Sequence, residues 1–355
     1  MKILVIQQKM IGDVLTSSIL FEALRLKYPN AALHYLINEH TFPVVQNNPF
    51  IDHFIIFTPE METSKIKLLK LAKAIRKQKF DMVIDAYSKL SSNLITALSG
   101  ANIKISKYKS YSSFIYTHPI KYKSESTTVA GLAIENRLQL LEPIDVSLSK
   151  NTIKPKIYLT DSEKDKAKQL LTESNINLSK PIFMMSVLGS GKDKTYPLEY
   201  MANVIDFIVE ETDAQILFNY IPKQIEEAEA VFNLCKPDTQ KHIYMSVFGN
   251  NLREFLSLTS YCDALIGNEG GAVNMAKALN IPTFTIFSPW IEKKIWASFE
   301  DEKNTSVHLI DFKPEFFRNQ EGKKAKKEAL TLYKEFKPSY FLEALKTFLN
   351  TITKK

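Results

Sequence analysis

The chain has little cysteine, with two residues in 355, Cys235 and Cys262. They lie in apolar or helical contexts, share no metal-ligand spacing and are too few for a disulfide framework, so a reducing compartment such as the cytosol is expected. The six histidines are scattered without paired spacing. We therefore predict neither a metal site nor a resident cofactor.

Long apolar runs are also missing. No stretch reaches the roughly 18 residues that a membrane-spanning helix needs. The opening MKILVIQQK contains one lysine and a short apolar run, and it lacks the cleavage site of a signal peptide. This segment is typical of a first β-strand, and a cytoplasmic protein is expected.

Positive charge is in excess. The net charge is +7 and the isoelectric point is about 9.0. This favours acidic partners such as nucleotides, phosphorylated glycans, anionic lipid or nucleic acid, although ordinary surface lysines explain it equally well. The carboxy-terminal tail is predicted either to contact anionic lipid or to be a solvated helix. Its lysines are Lys323, Lys324, Lys326, Lys327, Lys334 and Lys337.

Strand and helix patterns alternate from the start, which predicts parallel strands joined by helical crossovers, a doubly wound α/β sheet. The first series has predicted strands at 2–6, 32–37, 53–57, 81–85 and 103–106, and helices at 15–26, 41–46, 63–78 and 90–98.

The periodicity lapses near residues 143–160, where prolines, serines and lysines indicate a linker. Alternation then restarts, so we predict two domains, 1–155 and 156–355, with the last helix near 340–349 as a candidate to pack back on the first. The second series has predicted strands at 181–188, 215–220, 242–247, 264–266 and 283–287, and helices at 198–211, 223–234 and 251–260.

A glycine turn follows the predicted strand 264–266. It reads Gly267-Asn268-Glu269-Gly270-Gly271 and leads into a short helix. A turn of this kind directs backbone N–H groups and the positive helix end at one point, which suits a diphosphate. The alternative is a tight turn whose glycines serve backbone shape alone.

A second loop follows the strand 181–188. It runs from Gly189 and Ser190 through Lys194 to Pro197. It matches neither the Walker A pattern nor the dinucleotide pattern GxGxxG. What it offers is hydroxyl and ammonium donors, and a solvated connecting loop is the alternative.

Asp13 follows the first strand and opens the first helix. The ordinary role of such a side chain is a helix cap, and the functional role is a carboxylate that takes a proton from an acceptor hydroxyl; the two roles can coexist, and from the residues alone the cap is favoured.

Together these segments resemble glycosyltransferase family 9, the lipopolysaccharide heptosyltransferases, over nearly the whole chain. The matching segments are 12–14, 194–197 (Lys-Thr-Tyr-Pro for the family's Lys-x-Trp-Pro) and 267–282 (for its Asp-Thr-Gly-x-x-His segment). The resemblance implies the GT-B architecture, two Rossmann-like domains facing a central cleft. It also implies inverting, metal-independent transfer of a sugar from a nucleotide diphosphate.

By the same resemblance Asp13 is the general base. The donor would be ADP-heptose-like and the acceptor a lipid-linked glycan such as lipopolysaccharide core, met at the inner membrane face. The residues implied at the donor are Ser190, Gly191, Lys194, Glu269, Gly270, Gly271 and Asn274.

Three departures fall at the donor motif. Glu269, Gly270 and Asn274 stand where the family has Asp, Thr and His. A longer carboxylate, a lost hydroxyl and a lost imidazole leave the donor sugar open.

Rival functions remain at this level. A nucleotide-sugar binder without catalysis and a transferase with a non-heptose donor both fit the pattern. A Rossmann oxidoreductase is disfavoured because the turn after the first strand lacks the dinucleotide glycines. Nucleic-acid binding explains the charge but not the two-domain pattern, and no aromatic-basic stacking motif is present.

Overall fold

The structure is a computed structural model that describes residues 1–146, 153–317 and 326–353. It divides into two compact units, Met1–Tyr158 and Leu159–Lys355. Within the described ranges, no helix combines the length and the apolar character that a membrane crossing requires.

The first unit is built on six parallel strands in the order β3-β2-β1-β4-β5-β6. Its strands are β1 Lys2–Ile6, β2 Ala32–Asn38, β3 His53–Phe57, β4 Met82–Asp85, β5 Ile103–Lys107 and β6 His118–Ile120. Its helices are α1 Ile11–Ser17, α2 Ile19–Lys27, α3 Pro59–Thr63, α4 Lys65–Lys77, α5 Leu90–Leu98 and α6 Leu132–Gln139.

The direction of winding reverses between β1 and β4, because β2 and β3 lie on one side of β1 and β4 to β6 on the other. In open α/β sheets, ligands bind beyond the carboxyl ends of the strands at such a point. Asp13 lies just after β1, at this edge.

The second unit contains five parallel strands in the order β11-β10-β9-β7-β8, which reverses between β7 and β9. Its strands are β7 Ile182–Ser186, β8 Gln215–Phe218, β9 Ala264–Asn268, β10 Thr283–Ile286 and β11 Asn304–Val307. Its helices are α7 Asp161–Glu173, α8 Leu198–Thr212, α9 Ile225–Leu234, α10 Pro237–Gln240, α11 Leu252–Thr259, α12 Gly271–Ala278, α13 Lys293–Trp296, α14 Ala329–Glu335 and α15 Leu342–Thr353.

The end of the chain completes the core of this second unit. Helix α15 packs on α8, and Phe341, Leu345 and Phe348 are buried among the apolar side chains of β7, β9 and β10. Burying an aromatic or leucine side chain contributes roughly 1.5–3 kcal/mol, so the tail carries a substantial part of this unit's stability. Lys323 and Lys324 lie outside the described residues.

The α/β class with two doubly wound sheets is confirmed. The strand predicted at 242–247 is wrong. Only Ile243 bridges to Ile216 of β8, and the backbone then turns, with Val247 N donating to Tyr244 O at 3.1 Å.

Eight elements were missed. β6 has three residues and includes a proline, and β11 reads Asn-Thr-Ser-Val, so neither shows a strand pattern. Four of the missed helices, α3, α10, α13 and α14, have seven residues or fewer. The other two are α6 and α7, and α7 starts directly after the predicted linker.

Candidate active site

The loop after β7 folds back on itself. A Cβ placed on Gly189 would lie 2.2 Å from the carbonyl oxygen of Lys194, so only glycine allows this approach. The Thr195 hydroxyl closes the loop, accepting from Gly189 N at 3.1 Å and donating to Gly191 O at 2.9 Å. The loop is therefore a compact turn that gives Lys194 a defined position.

The turn is also held from the segment after β10. The carbonyl oxygen of Asp193 accepts hydrogen bonds from Ser288 Oγ at 2.7 Å and from Trp290 Nε1 at 2.9 Å. Lys326 Nζ lies 3.5 Å from the Asp193 carboxylate and 4.7 Å from the centroid of the Trp290 ring. Asp193, next to Lys194, is therefore held by contacts from outside the turn.

Lys194 and Glu269 form an ion pair at the switch point of the second sheet. Lys194 Nζ lies 3.1 Å from Glu269 Oε1 and 5.3 Å from the Trp290 ring centroid. The pair is largely shielded from water, with side-chain exposures of 26% and 11%. Yet Glu269 Oε1 has no partner in hydrogen-bond geometry among the described residues. Charge attraction and the Trp290 ring hold the lysine here, without a hydrogen bond to this oxygen.

The glycine turn opens helix α12. Gly270 is its N-cap residue, with φ of 153°, a value that side chains other than glycine rarely allow. In the described part of the chain, no side chain caps this helix end. The first-turn N–H groups, beginning at Gly271, are left for a ligand, as in other helix-terminal anion sites.

Asn268 connects the two strand ends with the lysine turn. Its amide Nδ2 donates to Ser186 O at 2.9 Å, and its Oδ1 accepts from Tyr196 N at 2.7 Å. Tyr196, at the family's tryptophan position, is buried and packs edge-on against Tyr333 and Phe336. The position of Lys194 is thereby fixed by the core.

All seven predicted donor residues lie at the carboxyl edge of the second sheet. Four surround the switch point directly, and two lie on the turn before Lys194, where Ser190 is exposed. Asn274 lies in the first turn of α12 and is half-buried. The group at the switch point is Lys194, Glu269, Gly270 and Gly271; the turn residues are Ser190 and Gly191.

Asp13 lies in the first turn of α1, whose N-cap residue is Met10. The helix-cap alternative for Asp13 is therefore wrong. Its Oδ1 instead accepts a 2.6 Å hydrogen bond from Arg137 Nη2, and Arg137 Nε donates to Ser17 Oγ at 3.1 Å. The side chains of Asp13 and Arg137 are 23% and 12% exposed. A partly open carboxylate with a fixed orientation results.

The charge of Asp13 acts on a half-buried lysine, Lys107, and on a buried hydroxyl, that of Tyr122. Burial, and then the charges of Lys109 and Arg137, lower the pKa of Lys107. Lys107 Nζ lies 5.8 Å from the ring centroid of Tyr122. Burial raises the pKa of Tyr122 to about 12, and its hydroxyl has no hydrogen-bond partner among the described residues. A cation and a buried, unpaired hydroxyl therefore lie near Asp13 in the described part of the chain.

Helix α6 packs against α1, the helix that carries Asp13. Besides Arg137 it carries Glu135, whose buried carboxylate accepts bonds from Ser126, Thr127 and Thr128. Burial opposes ionisation of Glu135, but these hydrogen bonds outweigh it and lower its pKa to about 2. One helix thus fixes both the loop 126–128 and the carboxylate of Asp13.

Sequence reasoning missed Arg137, Trp290 and Asn268. Arg137 lies in a mixed helical segment beside Glu135 and Asn136, so the local sequence did not distinguish it from an ordinary surface arginine. Trp290 follows β10 closely, so the rule that sites lie at carboxyl strand ends would have included it. Asn268 gave no signal, because its role depends on the spacing of β7 and β9.

Among the described residues, no group of three or more His, Cys, Asp or Glu side chains is placed to hold a metal ion.

Two doubly wound parallel sheets, one in each compact unit, define the GT-B fold class. The family model for glycosyltransferase family 9 (heptosyltransferase) matches residues 68–325, and the chain belongs to this family. It is a glycosyltransferase, as the resemblance implied.

Three similar proteins illustrate the match. Lipopolysaccharide heptosyltransferase 1 of Campylobacter coli is 23% identical over 297 residues, covering 81% of this chain and 84% of the relative. A family 9 glycosyl transferase from Veillonella parvula has a TM-score of 0.78 at 17% identity, covering 99% and 97% of the two chains. The ADP-heptose lps heptosyltransferase II of E. coli has a TM-score of 0.72 at 17% identity, covering 99% of each chain. The GT-B fold is confirmed.

Proposed function

We propose that this enzyme transfers a sugar, with inversion and without a metal ion, from a nucleotide diphosphate to a hydroxyl of a lipid-linked glycan. The observation that carries the proposal is the ion pair of Lys194 with Glu269, because Glu269 lies two residues before Gly271, where the uncapped helix α12 begins. The relatives support a donor such as ADP-heptose and an acceptor such as lipopolysaccharide core, because their names state these molecules.

On the donor side, the leaving diphosphate gains negative charge as its bond to the sugar breaks. Lys194 and the free N–H groups of α12 would meet that charge at a site already organised before substrate arrives. Ser190 and Gly191 would contribute a hydroxyl and a backbone amide from the same turn. Binding of the diphosphate would replace Glu269 as the partner of Lys194 and leave Glu269 to accept hydrogen bonds from sugar hydroxyls.

On the acceptor side, Asp13 would act as the general base. It takes the proton of the acceptor hydroxyl, whose oxygen attacks the anomeric carbon opposite the breaking bond to the diphosphate. Arg137 supports this role by fixing the carboxylate, which leaves its second oxygen for the acceptor. An inverting step needs a base on the face opposite the leaving group.

A non-heptose donor is the second candidate. The altered residues Glu269, Gly270 and Asn274 all lie near the proposed anion seat, where the donor's phosphate and sugar would be read. Glutamate reaches about one bond further than aspartate, and glycine supplies no hydroxyl. This site would therefore bind a different set of sugar hydroxyls from a site with the family's residues.

A nucleotide-sugar binder without catalysis is the remaining alternative. It predicts donor binding with no acceptor-dependent product and no effect of removing the Asp13 carboxylate. The fixed Asp13–Arg137 pair favours the enzyme, because a binding protein gains nothing from orienting a carboxylate on the other sheet.

The proposed setting is the cytoplasmic face of the inner membrane, with peripheral contact to anionic lipid. The lysine-rich tail stays a predicted contact, with a solvated helix as the alternative. Deleting the tail cannot test it, because Phe336, Phe341 and Phe348 belong to the core of the second unit. Replacing the exposed Lys327 and Lys334 by glutamate tests the tail without removing that core.

The function is tested by an acceptor-dependent assay. Purified protein is screened by thermal shift against nucleotides and nucleotide sugars, and each stabilising donor is then incubated with truncated glycolipid acceptors. A mass increase equal to one sugar, with release of the nucleoside diphosphate, is expected. Donor binding without transfer to any acceptor would favour the non-catalytic alternative.

A further inference from the structure

Helix α4 of the first unit carries a dense basic face with no assigned role. Seven of the fifteen residues from 65 to 79 are Lys or Arg and none is acidic. All seven are exposed, and none takes part in an ion pair among the described residues. They are Lys65, Lys67, Lys70, Lys73, Arg76, Lys77 and Lys79.

The opposite face of α4 fixes the helix to the sheet. Leu71, Ala72 and Ile75 are buried against β1 and β4 side chains such as Leu4 and Val83. The basic face is therefore a permanent surface of the folded unit and does not depend on the helix leaving the core.

Large apolar side chains are exposed at one end of this surface. Ile66 is 68% exposed and Leu69 41%, and Leu90, the first residue of the adjacent α5, is 83% exposed. Helices that follow parallel strands begin at the carboxyl edge of the sheet, so all three lie toward the edge that carries Asp13. Exposed aliphatic groups among lysines are typical of a surface that enters a membrane interface.

We propose that the basic face of α4, with Ile66, Leu69 and Leu90, is the surface by which the protein docks on an anionic lipid bilayer. The lysines would bind headgroup phosphates, and the three aliphatic side chains would enter the interface. This deepens the peripheral contact proposed above and rests on it. It also turns the Asp13 edge toward the layer in which a lipid-linked acceptor is anchored.

Nearby acidic groups do not cancel the basic face. Glu62 of α3 is paired with Lys9, and Glu60 accepts a 2.6 Å bond from Thr58. Duplex DNA is the other polyanion that such a face could bind. The aliphatic groups favour lipid, because phosphates and base edges offer nothing that rewards burying Ile66 or Leu90.

The test uses the full-length protein and vesicles of phosphatidylcholine with or without phosphatidylglycerol. The variants are Lys70→Glu/Lys73→Glu on α4, Ile66→Ser/Leu69→Ser at its apolar end, and Lys166→Glu/Lys168→Glu on α7 as the control with the same change in net charge.

The α4 charge variant is expected to lose about tenfold or more in affinity for anionic vesicles. The serine variant should lose several-fold, and the control should stay within about twofold. Unchanged ADP affinity shows that each variant is folded.

The other possible results of the vesicle experiment each contradict a different part of the docking proposal. Wild-type affinity in the α4 charge variant would remove α4 as the docking surface, and an equal loss in the α7 control would reduce the effect to net charge. Tighter binding to labelled duplex DNA than to vesicles, lost in the α4 variant, would make this a nucleic-acid surface. If the wild-type protein does not bind anionic vesicles but transfers sugar to a soluble acceptor, the docking proposal is wrong and the proposed transfer is unaffected.

Discussion

The two sheets each present a charged pair at the carboxyl edge, and the pairs differ in kind. Asp13 and Arg137 share a 2.6 Å hydrogen bond, and the arginine is anchored again at Ser17. Lys194 and Glu269 approach to 3.1 Å without hydrogen-bond geometry at the glutamate oxygen. The hydrogen bonds of the first pair hold one orientation, whereas the second pair lacks such a bond at the glutamate oxygen, and we propose that it exchanges partners when a diphosphate binds.

This difference matches the two tasks of a glycosyl transfer. A base must be aimed at one atom, so a fixed carboxylate serves it. A donor site must bind and release a diphosphate on every turnover. A lysine held too tightly by its own glutamate would bind the diphosphate more weakly. Hydrogen bonds to charged groups contribute about 1.5–3 kcal/mol, which sets the scale for breaking the Asp13–Arg137 pair.

The largest effect is expected for Asp13→Asn. Removing the base should lower kcat by roughly 100- to 10,000-fold, while ADP affinity stays the same. The exposed Asp238→Asn is the matched control. Turnover close to wild type in Asp13→Asn would exclude Asp13 as the base and remove the purpose of the first pair.

Arg137 is a positioning residue, and its removal should cost less than loss of the base. Arg137→Ala is expected to lower kcat by about 10- to 100-fold with little change in the KM for donor. Arg137→Lys keeps the charge but cannot reach both Asp13 and Ser17, so it should recover part of the loss. If Arg137→Ala lowers the free energy of unfolding but leaves kcat unchanged, the pair has only a structural role.

Lys194→Ala should weaken ADP binding by about 10- to 100-fold, since it removes one charged contact to the diphosphate. Lys192→Ala is the control, because Lys192 lies on the same turn and is exposed. Calorimetric titration measures both. An affinity loss that is the same in the two variants would point to general charge instead of the paired lysine.

A third pair shows what a structural ion pair does. Glu163 accepts two 2.7 Å bonds from Arg253 Nε and Nη2, and this contact lowers the pKa of Glu163 to about 2. Because its folded pKa is depressed, the pair stabilises the fold above pH 4.5 and loses that contribution as pH falls toward 2. Glu163→Gln should lower the free energy of unfolding by roughly 1–3 kcal/mol at pH 7 and progressively less in acid, with kcat unchanged. A pH-independent difference would contradict this.

Strand alternation and the rule that sites lie at carboxyl strand ends predicted the fold class and the neighbourhood of Lys194, Glu269 and Asp13. Both rules are local, since strand periodicity and turn glycines are visible in short windows. What they could not supply was the partner of each charge. Arg137 lies 124 residues from Asp13, and their contact exists only because α6 packs against α1.

The same limit explains the errors. The segment 242–247 has the apolar content of a strand, but it adds only one bridge at the open edge beside β8. The packing of the tail was missed for a related reason. Its aromatic residues are visible in the sequence, but their burial in the core of the second unit depends on the fold. The lipid contact of its lysines stays a prediction.

The most direct test of the difference between the two pairs is the ADP affinity of Glu269→Gln, measured by calorimetry beside Lys194→Ala. The two residues form one ion pair, so a structural pair would lose affinity from either side. If Glu269 competes with the diphosphate for Lys194, then Glu269→Gln should bind ADP several-fold more tightly than wild type while Lys194→Ala binds it more weakly. Weaker binding in both variants would contradict the exchange of partners at the second sheet.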